Sequence, residues 1–327
     1  MKSAGIIGLG HYAPEKTLTN ADLEKTLGLP AETILRLSGI NERHVAAPEE
    51  AASDLAAVAA RLALANAKAE PDEIDLIIVA TCSPDCYGPS TAAAVQERLG
   101  ARRAAAFDLA AACSGFIYGL VVGCNLIRAG LYRKVLVVGS EVLSRITDPQ
   151  DPDTAILFGD GAGAAVLGEA PAGYGLLGTD LGADGSGFDT IKVPAGGSRL
   201  PTSAETIAQR LHYTKMDGAS VTMFAMRVLG DSVKRSLAAA GLGPGDIDLM
   251  VPHQANLRII EAAARRVDLP LEKTAVNIDR YGNTSSASVP IALSEAAAAG
   301  RIRRGDRVVL VGFGAGLAWA SCVLKWH

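Results

Sequence analysis

The stretch DEIDLIIVA (Asp72–Ala80) returns later in the chain as GDIDLMVPH (Gly245–His253), and each copy follows an alanine-rich amphipathic run. Ile74 and Ile247 are 173 positions apart. A second pair, RKVLVVG (Arg133–Gly139) and DRVVLVG (Asp306–Gly312), keeps the same offset, with Val135 matching Val308. Short apolar runs resemble one another readily, but two matches at one spacing, about 60 residues apart, point to duplication. The β-branched runs alternate with helix-length amphipathic runs at 51–68 and 223–240, the pattern of an α/β protein with buried strands. The sequence therefore predicts two pseudo-equivalent halves packed together, residues 1–172 and 173–327.

Bulk properties narrow the function classes. A net charge of −4 across 327 residues gives no overall pull toward nucleic acid or an anionic membrane, so a basic docking surface has to be local. The longest apolar stretch, Leu109 to Cys124, is broken by Ser114 and glycines and is too short to span a bilayer. MKSAGIIGLGHYAPE has the layout of a first strand, not that of a signal peptide, and the expected location is the cytoplasm. Five cysteines, an odd count, fit free thiols in a reducing compartment. Cys82 and Cys86 have no second Cys or His pair nearby, and no metal is expected.

The repeat also locates chemistry. Moving 173 positions from Cys113 reaches Ser286, inside NIDRYGNTSSASVPIAL, so the thiol and the region of Asn283 occupy matching strand-to-helix turns. His253 ends one strand and GFGAG (Gly312–Gly316) the other, and sites in open α/β sheets gather at the carboxyl ends of strands. Cys113, His253, Asn283 and the glycine loop are thus expected around one cavity. In FDLAAACSGFIYGL (Phe107–Leu120), Cys113 precedes a candidate helix, whose free backbone N–H groups favour a thiolate. Cys124 and Cys322 lie in periodic apolar runs and read as core. His253 stands where a strand breaks at Pro252 and a helix starts around Ala255; taken singly, it and Asn283 also fit structural turn and cap roles. The glycine-rich GLGHYA (Gly8–Ala13) and GDGAGA (Gly159–Ala164) open no helix, so neither reads as a dinucleotide site, and no cofactor is expected.

At this point the motifs GINERHVAAPEE, AFDLAAACSGF, VVGSEVLSR, ILFGDGAGAAVLGE, LMVPHQANLRII, NIDRYGNTSSASVPIAL and GFGAGLAWAS, spread over the whole chain, resemble β-ketoacyl-acyl-carrier-protein synthase III. The resemblance implies an α/β thiolase-like fold, two duplicated halves forming a layered α-β-α-β-α core, the first carrying the nucleophilic cysteine and the second the histidine and asparagine. It implies that Cys113 accepts the acyl group, that His253 and Asn283 bind the malonyl thioester carbonyl, that the N–H groups of Cys113 and Ala315 form an oxyanion hole, and that Phe313 lines the malonyl side. It further implies a homodimer and, as partners, malonyl-acyl-carrier protein and an acyl-coenzyme A or acyl-carrier-protein primer. Arg258, Arg265 and Arg266, with Asn256 and Arg36, are the residues expected to meet the carrier or coenzyme A; a solvated helix face is the competing reading for Arg265 and Arg266.

Two positions depart from the family pattern. Gly88 stands where many relatives carry a bulky aromatic that closes the acyl channel from the partner subunit, so a primer larger than acetyl is expected, with Tyr87 able to refill the space and Leu143 and Phe158 as further channel residues. Thr33 and Pro152 stand where relatives sandwich the adenine of coenzyme A, and Leu37 where an arginine is expected, Arg36 lying one residue earlier. Stacking and cation–π contacts of about 1 to 2 kcal/mol are then missing, so the expectation is that the primer comes from a carrier protein or that coenzyme A binds differently. The alternatives are a ketosynthase III-like enzyme of specialised metabolism, an acyltransferase that does not condense, and a non-catalytic thiolase-fold partner subunit, which would not need Cys113, His253 and Asn283 together.

Overall fold

The computed structural model describes residues 2–327. The first half forms a five-stranded mixed sheet from β1 (Ser3–Tyr12), β2 (Leu76–Ala80), β3 (Ala105–Leu109), β4 (Val135–Glu141) and β5 (Gly161–Ala170), in the order β1-β5-β4-β2-β3. The second forms a four-stranded sheet from β6 (Gly175–Ala183), β7 (Leu249–Pro252), β8 (Arg307–Gly314) and β9 (Ala318–Lys325), in the order β6-β9-β8-β7. The two orders match strand for strand, the counterpart of β3 being reduced to an isolated bridge between Met250 and Thr274.

The six main helices are α1 (Ala52–Ala67), α2 (Thr91–Leu99), α3 (Gly115–Arg128), α4 (Gly218–Ala239), α5 (Leu257–Arg266) and α6 (Ser288–Ala298). α3 and α6 begin 173 positions apart, as the repeat requires. They lie between the sheets, where Phe116, Leu120, Ile127, Val289 and Leu293 join strand residues from both halves in one buried cluster. Burying each such side chain contributes about 1.5–3 kcal/mol. α1 and α2 cover the outer face of the first sheet, and α4 and α5 that of the second. The outcome is the layered α-β-α-β-α arrangement. α4 starts at Gly218, earlier than the apolar run from Met223 suggested, because the Asp217 carboxylate caps it by accepting from the Ser220 N–H.

The glycines that looked like nucleotide loops have a packing role. Gly8 and Gly10 lie inside β1, and a Cβ on either would stand 2.4 Å from the Ala63 or Ala59 carbonyl oxygen of α1. Their bare backbone lets α1 settle on the strand. No described helix is long and apolar enough to cross a membrane.

Candidate active site

β3 runs out at Leu109, and the chain passes through a single 3-10 turn, Ala112–Ser114, before entering α3. Ala112 adopts a positive φ of 46°, and Ser114 Oγ donates to the Ala111 carbonyl at 2.6 Å. This turn holds Cys113 at the strand end. Along α3, a Cβ on Gly115, Gly119 or Gly123 would come within 2.9 Å of Ala80, 2.8 Å of Val137 and 2.8 Å of Leu167, respectively. These gaps, one per helical turn, seat the helix close against the sheet and set the height of its first turn. The glycine loop arrives from β8, where a Cβ on Gly314 would stand 2.6 Å from the Cys113 backbone nitrogen.

His253 follows β7 and is 1% exposed. Its backbone N–H donates to the Val311 carbonyl at 2.7 Å, and its ring lies edge-on to Phe313 at 5.6 Å. Nδ1 is 2.6 Å from Ser288 Oγ. That hydroxyl already accepts a long bond, 3.4 Å, from the Gln254 N–H. When the Ser288 hydroxyl donates its own proton to Nδ1, the ring hydrogen lies on Nε2. Burial pushes the imidazole down to about 3, so it is a neutral donor at physiological pH. Asn283 is also buried; its Oδ1 accepts from the Ser285 N–H at 2.9 Å. With the carbonyl committed, the amide NH2 remains as the donor, and it makes no hydrogen bond within the described residues.

The thiol differs from the expectation. Burial pushes Cys113 up to about 12; a hydrogen bond from Ser285 opposes this, the Glu141 carboxylate reinforces it and the cysteine's own N–H opposes it. Desolvation outweighs the helix start, and the resting group is a thiol. Glu141 is itself wholly buried and accepts from the Cys82 N–H at 2.9 Å, Ser83 Oγ at 2.7 Å and Ser286 Oγ at 2.7 Å.

Cys113, His253, Asn283, Phe158, Phe313 and Ala315 line one cavity of about 410 Å³. Leu37, Asn256 and Asp153 also line it. Gly88, Tyr87 and Leu143 do not. Tyr87, 88% exposed, borders a separate cavity with Cys82, Cys86 and Arg145, and Leu143 is buried. The helix expected from Ala255 begins at Leu257, since Asn256 is its cap and accepts from the Arg258 N–H at 2.9 Å.

The expected basic patch is partly consumed. Arg266 makes a bidentate pair with Asp231 at 2.8 to 3.1 Å, and Arg265 lies 3.6 Å from Glu261. Asn256 Nδ2 donates to the Leu37 carbonyl and Arg258 to that of Arg36, tying α5 to the short helix Ala31–Ser38. Arg36 and Arg258 stay exposed, and neither forms an ion pair within the described residues. Ser285, Ser288 and Glu141 escaped the sequence reading although all three lie in quoted motifs; serines spaced along the turn after Asn283 were the available signal.

Residues 107–185 match the family described as 3-oxoacyl-[acyl-carrier-protein (ACP)] synthase III, and residues 237–326 match its C-terminal domain. Over 326 residues the chain is 54% identical to the β-ketoacyl-[acyl-carrier-protein] synthase III of Symbiobacterium thermophilum, covering 100% of this chain and 99% of the relative. The enzyme of the same name from Desulfitobacterium hafniense is 51% identical over 100% of this chain and 98% of its own. The crystal structure of the Thermus thermophilus synthase III superposes with a TM-score of 0.93 at 50% identity, covering 99% of each chain. With 51–54% identity over 100% of this chain, the chain belongs to the 3-oxoacyl-[acyl-carrier-protein] synthase III family.

Proposed function

We propose that this protein initiates fatty-acid synthesis by a decarboxylative condensation, joining an acyl primer held on Cys113 to malonyl-acyl-carrier protein. The observation that carries the reading is the single cavity lined by a thiol and by two neutral donors, His253 and Asn283. In the first half-reaction Cys113 Sγ, losing its proton, attacks the primer thioester carbonyl; the carrier thiolate leaves and takes a proton. The malonyl thioester then enters. Its carboxylate departs as carbon dioxide, and the electron pair moves into an enolate whose oxygen accepts from His253 Nε2–H and Asn283 Nδ2–H. Two neutral donors suit this step, because an imidazolium would protonate the carbanion instead of preserving it. The carbanion attacks the acyl-cysteine carbonyl, and the oxyanion takes hydrogen bonds from the Cys113 and Ala315 N–H groups. Collapse expels the Cys113 thiolate, which regains its proton.

In this reading residues 1–172 contribute the nucleophile and 173–327 the decarboxylation donors. A cytoplasmic homodimer is part of it: β3 is an unpaired sheet edge with Phe107 40% exposed, a surface that pairing with a second copy would cover. Gly88, where an added Cβ would meet nothing within 4 Å, would then face the partner's channel and leave room for a primer larger than acetyl. Asp153 and Leu37 at the cavity wall supply no cation, which leaves Arg36 and Arg258 as the cations available to an acidic carrier protein or to the phosphates of coenzyme A. The test is intact-mass spectrometry after exposure to acyl-coenzyme A and acyl-carrier-protein primers, together with carbon dioxide release from malonyl-carrier protein. Labelling that survives Cys113→Ala, or acyl transfer without carbon dioxide release, would sink the assignment; labelling by acetyl alone would sink the wide channel.

A further inference from the structure

Arg43 is wholly buried and forms no salt bridge within the described residues. Its Nη1 donates to the Leu18 carbonyl at 3.1 Å and to Asn20 Oδ1 at 3.0 Å, its Nη2 donates to the Ile156 carbonyl at 2.7 Å, and its Nε has no partner. Burial lowers the guanidinium to about 10, which leaves it charged at neutral pH. A buried cation without a carboxylate is costly and seldom kept for stability. The structure shows what it touches instead.

The side chain leaves the backbone through a slot between two glycines. A Cβ on Gly159 would stand 3.0 Å from Arg43 Cβ and 2.3 Å from the Tyr281 carbonyl; one on Gly282 would stand 3.1 Å from Arg43 Cβ and 2.8 Å from the Leu157 carbonyl. Just beyond that slot the cavity wall is assembled. The Asn283 N–H donates to the Leu157 carbonyl at 2.9 Å, and the Gly159 N–H donates to the Asn283 carbonyl at 3.0 Å, an isolated bridge between Phe158 and Asn283. Ile156, whose carbonyl the guanidinium holds, lines the cavity beside Leu157, Phe158 and Asn283, whereas Arg43 does not reach it.

We propose that Arg43 is a positioning residue for Asn283: by clamping the Ile156 carbonyl to the Leu18–Asn20 segment, it sets the bridge that places the Asn283 amide in the cavity. This rests on reading Asn283 as an enolate donor. Cys113 and its turn are held by other elements, so the two half-reactions separate the roles. In the intact 327-residue chain, Arg43→Met should reduce malonyl-carrier-protein decarboxylation by at least about tenfold relative to Cys113 acylation by a short primer, since misplacement by about 1 Å costs up to about 100-fold. Arg43→Lys, which keeps the charge but cannot span all three acceptors, should fall between Arg43→Met and the wild type. Asn283→Ala is the control and should lose decarboxylation while still being acylated. If both half-reactions of Arg43→Met fall together, or neither falls, while the control behaves as stated, Arg43 is only a fold residue and the proposal is overturned. If Arg43→Met does not fold, the same ratio measured in Arg43→Lys decides. If Asn283→Ala still decarboxylates, the reading of the site fails first, and the positioning role fails with it.

Discussion

Ala112 and Ser285, 173 positions apart, both carry a φ of 46°. Each precedes the residue that its turn presents, Cys113 in one half and Ser286 in the other. A side chain held at positive φ costs about 1–3 kcal/mol, and the fold bears it twice. The two turns then diverge. Ser286 Oγ lies 2.8 Å from the Ala80 carbonyl and 2.7 Å from Glu141, two acceptors that share its one proton, so the second turn is filled. The position matching Glu141 across the repeat is Gly314, whose bare backbone lies close against the Cys113 turn and puts no side chain there.

Gly314→Ala tests that close fit. The new methyl would lie 2.6 Å from the Cys113 nitrogen, 2.8 Å from Ala112 Cβ and 3.2 Å from Cys113 Cβ. Overpacking of this kind costs about 1–3 kcal/mol, and displacing the Cys113 and Ala315 N–H groups, proposed as the oxyanion donors, should slow turnover about 100-fold. Melting temperature and the Cys113 acylation rate are the readouts; unchanged acylation would mean that the loop does not set the oxyanion site.

The raised Cys113 pKa predicts how alkylation depends on pH. With the thiol pushed up to about 12, its thiolate fraction rises with pH across the whole neutral range. Iodoacetamide labelling of Cys113 should therefore accelerate about tenfold per pH unit from pH 6 to 9. A plateau near neutrality would reveal a resting thiolate.

His253 links acidity to stability. Its folded pKa is depressed from 6.5 to about 3, so the neutral ring is favoured by folding; the contribution is complete above the unfolded value and is lost as pH falls from about 6.5 toward 3. The most it amounts to is about 4 to 5 kcal/mol. Urea titrations should show that His253→Asn flattens the acid limb of the stability profile by close to one proton.

Glu141 ties the halves together through donors from both. Glu141→Ala strands the Ser83 hydroxyl proton and the Cys82 N–H, leaves Ser286 only the Ala80 carbonyl, and should destabilise the protein by about 3 kcal/mol. Burial raises the Glu141 pKa, so Glu141→Gln, a neutral isostere, should cost less. Denaturant midpoints of the two variants give the order directly.

Gly88→Phe should shift primer preference toward acetyl, because an added Cβ meets nothing in its own chain and the ring is free to enter the space proposed to face the partner's channel. Competition between short and branched primers, read by intact mass, checks it. An unchanged preference would remove Gly88 from the channel.

Much of the architecture was legible in short stretches. Strand and helix identity, the 173-residue offset and the turns carrying Cys113, His253 and Asn283 depend on local periodicity and turn chemistry, which neighbouring residues encode. The charge state of the site was not. Cys113 is a resting thiol and His253 a neutral donor because desolvation sums over side chains far apart in the sequence, and no local motif carries that sum. The same holds for Arg266, turned to Asp231, and for Arg43, whose acceptors come from residues 18, 20 and 156. The chain's own pattern thus settles which residues meet at the strand ends; packing settles which of them are charged, which are already paired and which remain free to react.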